Sequence, residues 1–150
     1  QENLQKLPLV RYQLFECVPD GENFISSDDL TINLWNVENN ITAYCMVDLR
    51  PETLEELNEV ITYVEYHPRR SDLFAFSSSR GYITLCDTRA TTSYQRASLK
   101  FQAKEDPARK NFFSDMIGAM TRVKFAPTSD NYIFSRDYLS VQIWDIRSNK

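Results

Sequence analysis

The stretch Ser135-Arg-Asp-Tyr-Leu-Ser-Val-Gln-Ile-Trp-Asp-Ile146 decides the fold of this chain. Val141 and Ile143 are apolar and Gln142 between them is polar, which is the period of a strand with one buried face. The strand ends in Trp144-Asp145, a dipeptide typical of one class of all-β repeat. The stretch therefore predicts one strand of a repeated unit.

The same pattern occurs twice more, ending at Trp35 and at Cys86. When these two residues are aligned with Trp144, apolar residues stand one and three places before each of them, and Asn or Asp follows. A serine stands nine places before each (Ser26, Ser77 and Ser135). Upstream, each unit begins with an alternating segment that runs into a proline (Pro19, Pro68 and Pro127). Proline lacks a ladder donor and has a fixed φ, so it suits the turn between two strands.

These patterns predict three repeated units, each built as strand, proline turn, strand, polar turn and strand. A fourth strand is expected after each of the first two units. The predicted fold is all-β, a segment of a WD40 β-propeller with about three four-stranded blades and short helical insertions on one face. The repeats cover approximately 9–50, 60–98 and 119–147, and the insertions cover 51–60 and 99–118. A propeller closes with about 4 to 8 blades. We therefore expect either a fragment of a longer propeller or a truncated relative with exposed strand edges.

Composition narrows the class of function. The chain has 150 residues, a net charge of −4 and 42% hydrophobic residues. This balance gives no reason to expect nucleic acid or a membrane as a partner. No apolar run approaches the roughly 18 residues of a membrane span, and no signal peptide opens the sequence. The three cysteines form no Cys-x-x-Cys pair, so we expect reduced thiols in an intracellular protein, in the cytoplasm and also in the nucleus.

The residues that carry catalysis in other proteins are scarce here. His67 is the only histidine, and no Ser-His-Asp or Cys-His set has a plausible spacing around it. Scattered cysteines and one histidine give no metal-ligand cluster. The three glycines, Gly21, Gly81 and Gly118, form no phosphate-binding loop. The sequence predicts a protein that is not an enzyme and needs no cofactor and no metal.

The two insertions are the unusual segments. In 51–60, Leu54, Leu57 and Val60 fall on one helical face, which fits either a capping helix packed on the blade or an acidic ledge with exposed leucines. In the second, apolar residues suit one turn of amphipathic helix or a loop that packs down (Phe112, Phe113, Met116 and Ile117). Connections in an antiparallel blade alternate between its two ends. Both insertions and the turn at Asp28-Asp29 should therefore share one face, and such clustering usually marks the binding side.

At this level of detail the chain resembles the WD40-type B regulatory subunit of protein phosphatase type 2A. The resemblance covers nearly the whole chain and includes the cysteine at 86 and both insertions. It is carried by Ser-Asp-Asp-Leu-Thr-Ile-Asn-Leu-Trp (27–35), Glu-Glu-Leu-Asn-Glu-Val-Ile-Thr (55–62), Glu-Tyr-His-Pro (65–68), Ser-Ser-Ser-Arg-Gly-Tyr-Ile-Thr-Leu-Cys-Asp-Thr-Arg-Ala (77–90), Glu-Asp-Pro (105–107), Phe-Phe-Ser (112–114) and Ser-Arg-Asp-Tyr-Leu-Ser-Val-Gln-Ile-Trp-Asp (135–145).

The resemblance implies a non-catalytic subunit that selects substrates through an acidic and apolar groove on the top face of a propeller. Its partners would be the phosphatase scaffold subunit, the catalytic subunit and protein substrates. Carried over position by position, the groove would comprise Asp29, Leu54, Glu55, Leu57, Val60, Phe112, Phe113 and Ile117. Thr31 departs from the basic residue of the family, which makes its turn more acidic. The alternative is a truncated WD40 segment that serves as a structural scaffold without phosphatase assembly.

Overall fold

The computed structural model describes residues 14–38, 43–89, 98–103 and 113–148. These residues form eleven strands in three antiparallel sheets, so the all-β prediction is confirmed. The first sheet contains β1 (Leu14–Cys17), β2 (Asn23–Ser27), β3 (Thr31–Asn36) and β4 (Ala43–Asp48). The second contains β5 (Ile61–Tyr66), β6 (Leu73–Ser78), β7 (Tyr82–Asp87) and β8 (Ser98–Gln102). The third contains β9 (Arg122–Phe125), β10 (Tyr132–Arg136) and β11 (Val141–Asp145).

Strand order follows chain order in every sheet, as expected for repeated up-and-down units. The fourth strands of the first two units are present as β4 and β8, whereas the described part of the third unit has three strands. β8 takes up the beginning of the segment that the sequence assigned to the second insertion. The first predicted strand was expected from Leu9, but residues before 14 lie outside the described part of the chain.

The predicted helical insertions are not seen as such. In 51–60 only Leu54–Glu56 forms a 3₁₀ turn, and the rest of the segment is irregular. A proline such as Pro51 is tolerated only in the first turn of a helix. The backbone N–H groups of Val60 and Ile61 donate to Ser79 Oγ and to the Asp29 carbonyl, so they do not form the hydrogen bonds of a second helical turn. In the second insertion the described helix is α1 (Ser114–Ile117), a single turn.

The three sheets stack face to face, with the second in the middle. β6 is buried along its whole length because both of its faces are covered. One apolar core lies between the first and second sheets and includes Ile25, Ile32 and Phe74. Another lies between the second and third sheets and includes Ile83 and Ile133. The first strands are neighbours, since β5 packs beside both β1 and β9.

The residues used to align the repeats occupy equivalent register positions. Trp35 lies opposite Phe24, Cys86 opposite Phe74, and Trp144 opposite Ile133. The Trp35 Nε1 donates to Ser26 Oγ at 2.8 Å, and Trp144 Nε1 donates to Ser135 Oγ at 2.9 Å. Cys86 is buried, whereas the two tryptophans are half-buried.

The alignment of Ser77 with Ser26 and Ser135 is wrong in space. Ser26 pairs with Asn33 and Ser135 with Gln142, but their structural counterpart in the second sheet is Phe76, which pairs with Thr84. Five residues (78–82) separate the last paired residues of β6 and β7, against four in each of the other two hairpins, and this shifts Ser77 by one place. In the first and third sheets, a large Trp therefore occupies one position and a small Ser the other. In the second sheet the sizes are exchanged, with the small Cys86 and the large Phe76 at these two positions.

His67 is a buried residue just after the end of β5. Its side chain is buried against Phe125, with ring centroids 4.8 Å apart, and its Nδ1 accepts a hydrogen bond from the Arg69 backbone N–H. Burial lowers the pKa of His67, although the Asp130 carboxylate 3.7 Å from Nε2 opposes this shift.

Candidate binding face

Five segments that link the strands lie at the same end of the sheets, and we call this end the turn face. They are the β2–β3 turn (28–30), the β4–β5 link (49–60), the β6–β7 turn (79–81), the described part of the β8–β9 link (113–121) and the β10–β11 turn (137–140). Backbone hydrogen bonds join several of them directly. The site residues predicted from sequence all belong to these segments or to the part of the β8–β9 link outside the described residues.

The β2–β3 turn is fixed by Asp28. Its Oδ1 accepts hydrogen bonds from the backbone N–H groups of Leu30 and Thr31, and its Oδ2 accepts one from the Thr31 hydroxyl at 2.6 Å. Asp29 is exposed at the tip of the turn, and its carbonyl accepts a hydrogen bond from the Ile61 N–H at 2.7 Å. The turn therefore holds Asp29 beside the end of the β4–β5 link. Thr31 is buried and completes this network.

The β4–β5 link forms an acidic ledge. Residues 51–60 carry four glutamates and no lysine or arginine, and Glu52, Glu55 and Glu56 are exposed. Leu57 is 41% exposed. Of the two interpretations drawn from the sequence, the exposed ledge fits better than a helix whose leucines are all packed.

A small cleft lies between the two ends of this link. It has a volume of about 250 Å³ and is lined by Asp48, Leu49, Arg50, Pro51, Glu56, Leu57, Asn58 and Glu59. The Arg50 guanidinium binds the Asp48 carboxylate through both oxygens, and this hydrogen bonding lowers the pKa of Asp48. Because those two charges offset each other, Glu56 and Glu59 give the cleft its negative character.

The β6–β7 turn connects the two insertions. The Val60 N–H donates to Ser79 Oγ at 3.0 Å, and the Ser78 hydroxyl donates to Glu59 Oε1 at 2.8 Å. On the other side the Met120 N–H donates to the Ser78 carbonyl at 3.2 Å. Gly81 has φ +78°, and a Cβ there would lie 2.7 Å from the Gly118 carbonyl oxygen. Glycine is required at 81 because both the backbone angle and the close approach exclude a side chain.

The second insertion contributes apolar surface. Phe113, at the start of α1, is 54% exposed, Met116 is also exposed, and Ile117 is half-buried. Because the Gly118 backbone lies close against Gly81, α1 lies at the same end of the second sheet as the acidic ledge. The apolar and the acidic parts of the turn face therefore meet at the β6–β7 turn.

The β10–β11 turn adds residues that the sequence analysis did not select. Asp137 repeats the role of Asp28, with Oδ1 accepting from the N–H groups of Leu139 and Ser140 and Oδ2 accepting from the Ser140 hydroxyl. Burial acts to raise the pKa of Asp137, but these hydrogen bonds outweigh it and the pKa is lowered. Tyr138 and Leu139 are consequently held at the exposed tip. In the repeat alignment Tyr138 and Leu139 correspond to Asp29 and Leu30, and this correspondence could have identified them as candidate residues from the sequence.

The predicted site residues are thus partly accounted for. Asp29, Glu55 and Leu57 are exposed on the turn face, and Phe113 is exposed on it as well. Val60 and Ile117 are half-buried and contribute less surface. The backbone of Leu54 lies in the 3₁₀ turn. Phe112 lies outside the described residues.

Among the residues that the structure describes, no three His, Cys, Asp or Glu side chains are grouped so that they could hold a metal ion. No helix in the described ranges is long and apolar enough to cross a membrane. The sequence matches no protein-family model.

Proposed function

We propose that this chain forms three blades of a WD40-type β-propeller and serves as a non-catalytic regulatory subunit of a type 2A protein phosphatase. In this role its turn face captures protein substrates and presents them to the catalytic subunit. The repeated register of the three sheets and the adjacency of their first strands support the blade arrangement.

The observation that carries the proposal is the junction of the acidic ledge and the apolar α1 segment at the β6–β7 turn. Exposed carboxylates attract and orient basic segments, mainly by raising the rate of association. Exposed Leu57 and Phe113 offer apolar area that an incoming side chain can bury. A basic segment with interspersed apolar residues satisfies both parts of the face.

The cleft suggests how one basic side chain is selected. Its volume of about 250 Å³ is below the roughly 300–1,000 Å³ of small-molecule sites, so it suits a peptide side chain better than a metabolite. With Arg50 neutralised by Asp48, the unpaired charge near an entering lysine or arginine is that of Glu56 and Glu59. The Leu57 side chain packs against the aliphatic stem of such a residue.

Co-purification tests the proposal. The tagged chain is incubated with purified phosphatase scaffold and catalytic subunits, and separately with a peptide in which arginines alternate with leucines. We expect retention of the peptide and of both subunits. Retention of the peptide alone would favour the alternative, a WD40 segment without phosphatase assembly, and retention of neither would refute the proposal.

A further inference from the structure

The tips of the three hairpin turns on the turn face carry side chains of different character. The residue six places before the aligned Trp or Cys lies at the tip, and in the three sheets it is Asp29, Arg80 and Tyr138. All three are exposed. In the middle turn the Arg80 N–H donates to Ser78 Oγ at 3.0 Å, which holds the tip much as an aspartate holds each of the other two turns. The turn face therefore presents an acidic, a basic and an aromatic side chain in successive sheets.

A second cation, Lys100, lies beside the middle turn. Lys100 is on β8 opposite Thr84, on the same face of the sheet as Tyr82. Its Nζ lies 3.3 Å from the centre of the Tyr82 ring, and a cation over an aromatic face is attracted to it. Tyr82 is buried, so its ring holds the ammonium group at the end of the sheet where Arg80 lies. Both cations belong to the second sheet, which the chain covers on both sides with its own first and third sheets.

Neither cation forms an ion pair with a carboxylate in the part of the chain that the structure describes. Several other arginines do so, each with an aspartate. The Arg80 guanidinium instead donates to Asn58 Oδ1 at 3.5 Å. Burial lowers the pKa of Lys100, Glu59 acts in the opposite direction, and repulsion from Arg80 adds to the lowering. An anion in contact with both side chains would relieve this repulsion.

The basic pair lies directly next to the acidic ledge. Glu59, the last carboxylate of the ledge, accepts a hydrogen bond from the Ser78 hydroxyl at 2.8 Å, so a single carboxylate faces two cations here. The ledge also connects this turn to the β2–β3 turn, because the Ile61 N–H donates to the Asp29 carbonyl and the Val60 N–H donates to Ser79 Oγ. A short peptide segment can therefore contact the acidic and the basic parts of the face together.

We propose that Arg80 and Lys100 bind a phosphorylated serine or threonine of the substrate, beside the basic residues that the acidic ledge captures. This inference rests on the proposed function and defines its substrate class more closely. A phosphate monoester carries a charge of about −1.5 to −2 at neutral pH and has three acceptor oxygens, so it can accept from both cations at once. A carboxylate carries one charge and offsets one of them. The pair thus selects segments in which a phosphate stands close to arginine or lysine.

Fluorescence anisotropy with the 150-residue chain tests the inference. One position is moved along a peptide of alternating arginines and leucines, and each peptide is made with serine, phosphoserine or aspartate at that position. Phosphoserine at one position, or at two adjacent ones, should bind about three- to tenfold tighter than serine, because exposed ion pairs contribute modestly. Aspartate should give a smaller gain. Added salt should reduce the gain from phosphate.

Variants of the two cations locate the effect. Arg80→Gln and Lys100→Gln should each reduce the gain from phosphate, and together they should abolish it. Undiminished binding of the serine peptide shows that these variants are folded. Arg89→Gln is the matched control, since it removes one exposed positive charge at the opposite end of the same sheet and should keep the gain.

Three results would overturn the inference: no gain at any position, a gain that survives the double variant, or an equal gain from aspartate. If the serine peptides bind without a gain from phosphate, the phosphate site is refuted while capture of basic segments stands. If no peptide binds, both are refuted.

Discussion

Replacing Cys86 by Trp should destabilise the chain, although it would make the three repeats look more alike. Cys86 is buried, and Phe76 fills the position that a serine occupies beside each tryptophan in the other two sheets. An added indole would have to enter a packed core, which costs about 1–3 kcal/mol. Phe76→Ser alone would leave a cavity and should cost about 3–5 kcal/mol, by analogy with other truncations of buried phenylalanine.

The double variant distinguishes an exchange of the two residues from two independent losses of stability, which would simply add. With Phe76→Ser and Cys86→Trp together, the indole can occupy the vacated volume and donate to the new hydroxyl, as Trp144 donates to Ser135 at 2.9 Å. The two changes should therefore couple favourably by at least about 1–2 kcal/mol.

Urea unfolding of the four proteins at one fixed concentration measures the coupling. Cys45→Trp, at an exposed position, should change stability by no more than about 0.5 kcal/mol and serves as the control. If Cys86→Trp alone stabilises the protein, or if the two changes are additive, the proposed exchange of the small and large residues is refuted.

Three further predictions concern charge and exposed apolar surface. The buried His67 has a lowered pKa, so on acidification the unfolded chain binds a proton at this residue before the folded chain does. The free energy of unfolding should therefore fall as the pH drops below about 7 toward the folded pKa. In urea titrations at several pH values, His67→Gln should flatten this slope. Asp29→Lys should weaken binding of a basic peptide several-fold without affecting the scaffold subunit, whereas Glu38→Lys, with the same charge change in the β3–β4 connection at the opposite end, should leave both unchanged in parallel pull-downs. Leu57→Ala should weaken peptide binding by about 1–3 kcal/mol in an anisotropy titration, and unchanged affinity would exclude Leu57 as an anchor.

The all-β fold could be predicted from sequence because two local signals agree throughout. Period-2 alternation marked the strands, and proline or Asp-Asp turns marked their ends. The third strands β3, β7 and β11 each end one residue after Trp35, Cys86 or Trp144, at which the repeated pattern ends. The spatial register of Ser77 could not be read in this way. A single additional residue between the paired ends of β6 and β7 moves that side chain to the other face of the sheet, and sequence alignment on Cys86 hides the shift.

The insertions were harder to predict because their helical periodicity was too short to fix a structure. The pattern of Leu54, Leu57 and Val60 fits a helix, but hydrogen bonds from the link to the β6–β7 turn hold the backbone irregular after Glu56. The sharing of one end of the sheets followed from strand count alone and agrees with the bonds that join these segments. Exposure of Tyr138 depends on the Asp137 network, which only the structure reveals.

Hydrogen–deuterium exchange with and without a basic, leucine-containing peptide tests substrate capture at the turn face most directly. The amides of Val60, Ser79 and Met120 are hydrogen-bonded there, so we expect them to exchange slowly enough to report on binding. If the turn face captures the peptide, we expect added protection in 49–60, in 79–81 and in 113–120, and none in the turns at the opposite end of the sheets, such as 68–72. Protection confined to the opposite turns, or a peptide that binds without protecting the turn face, would contradict it.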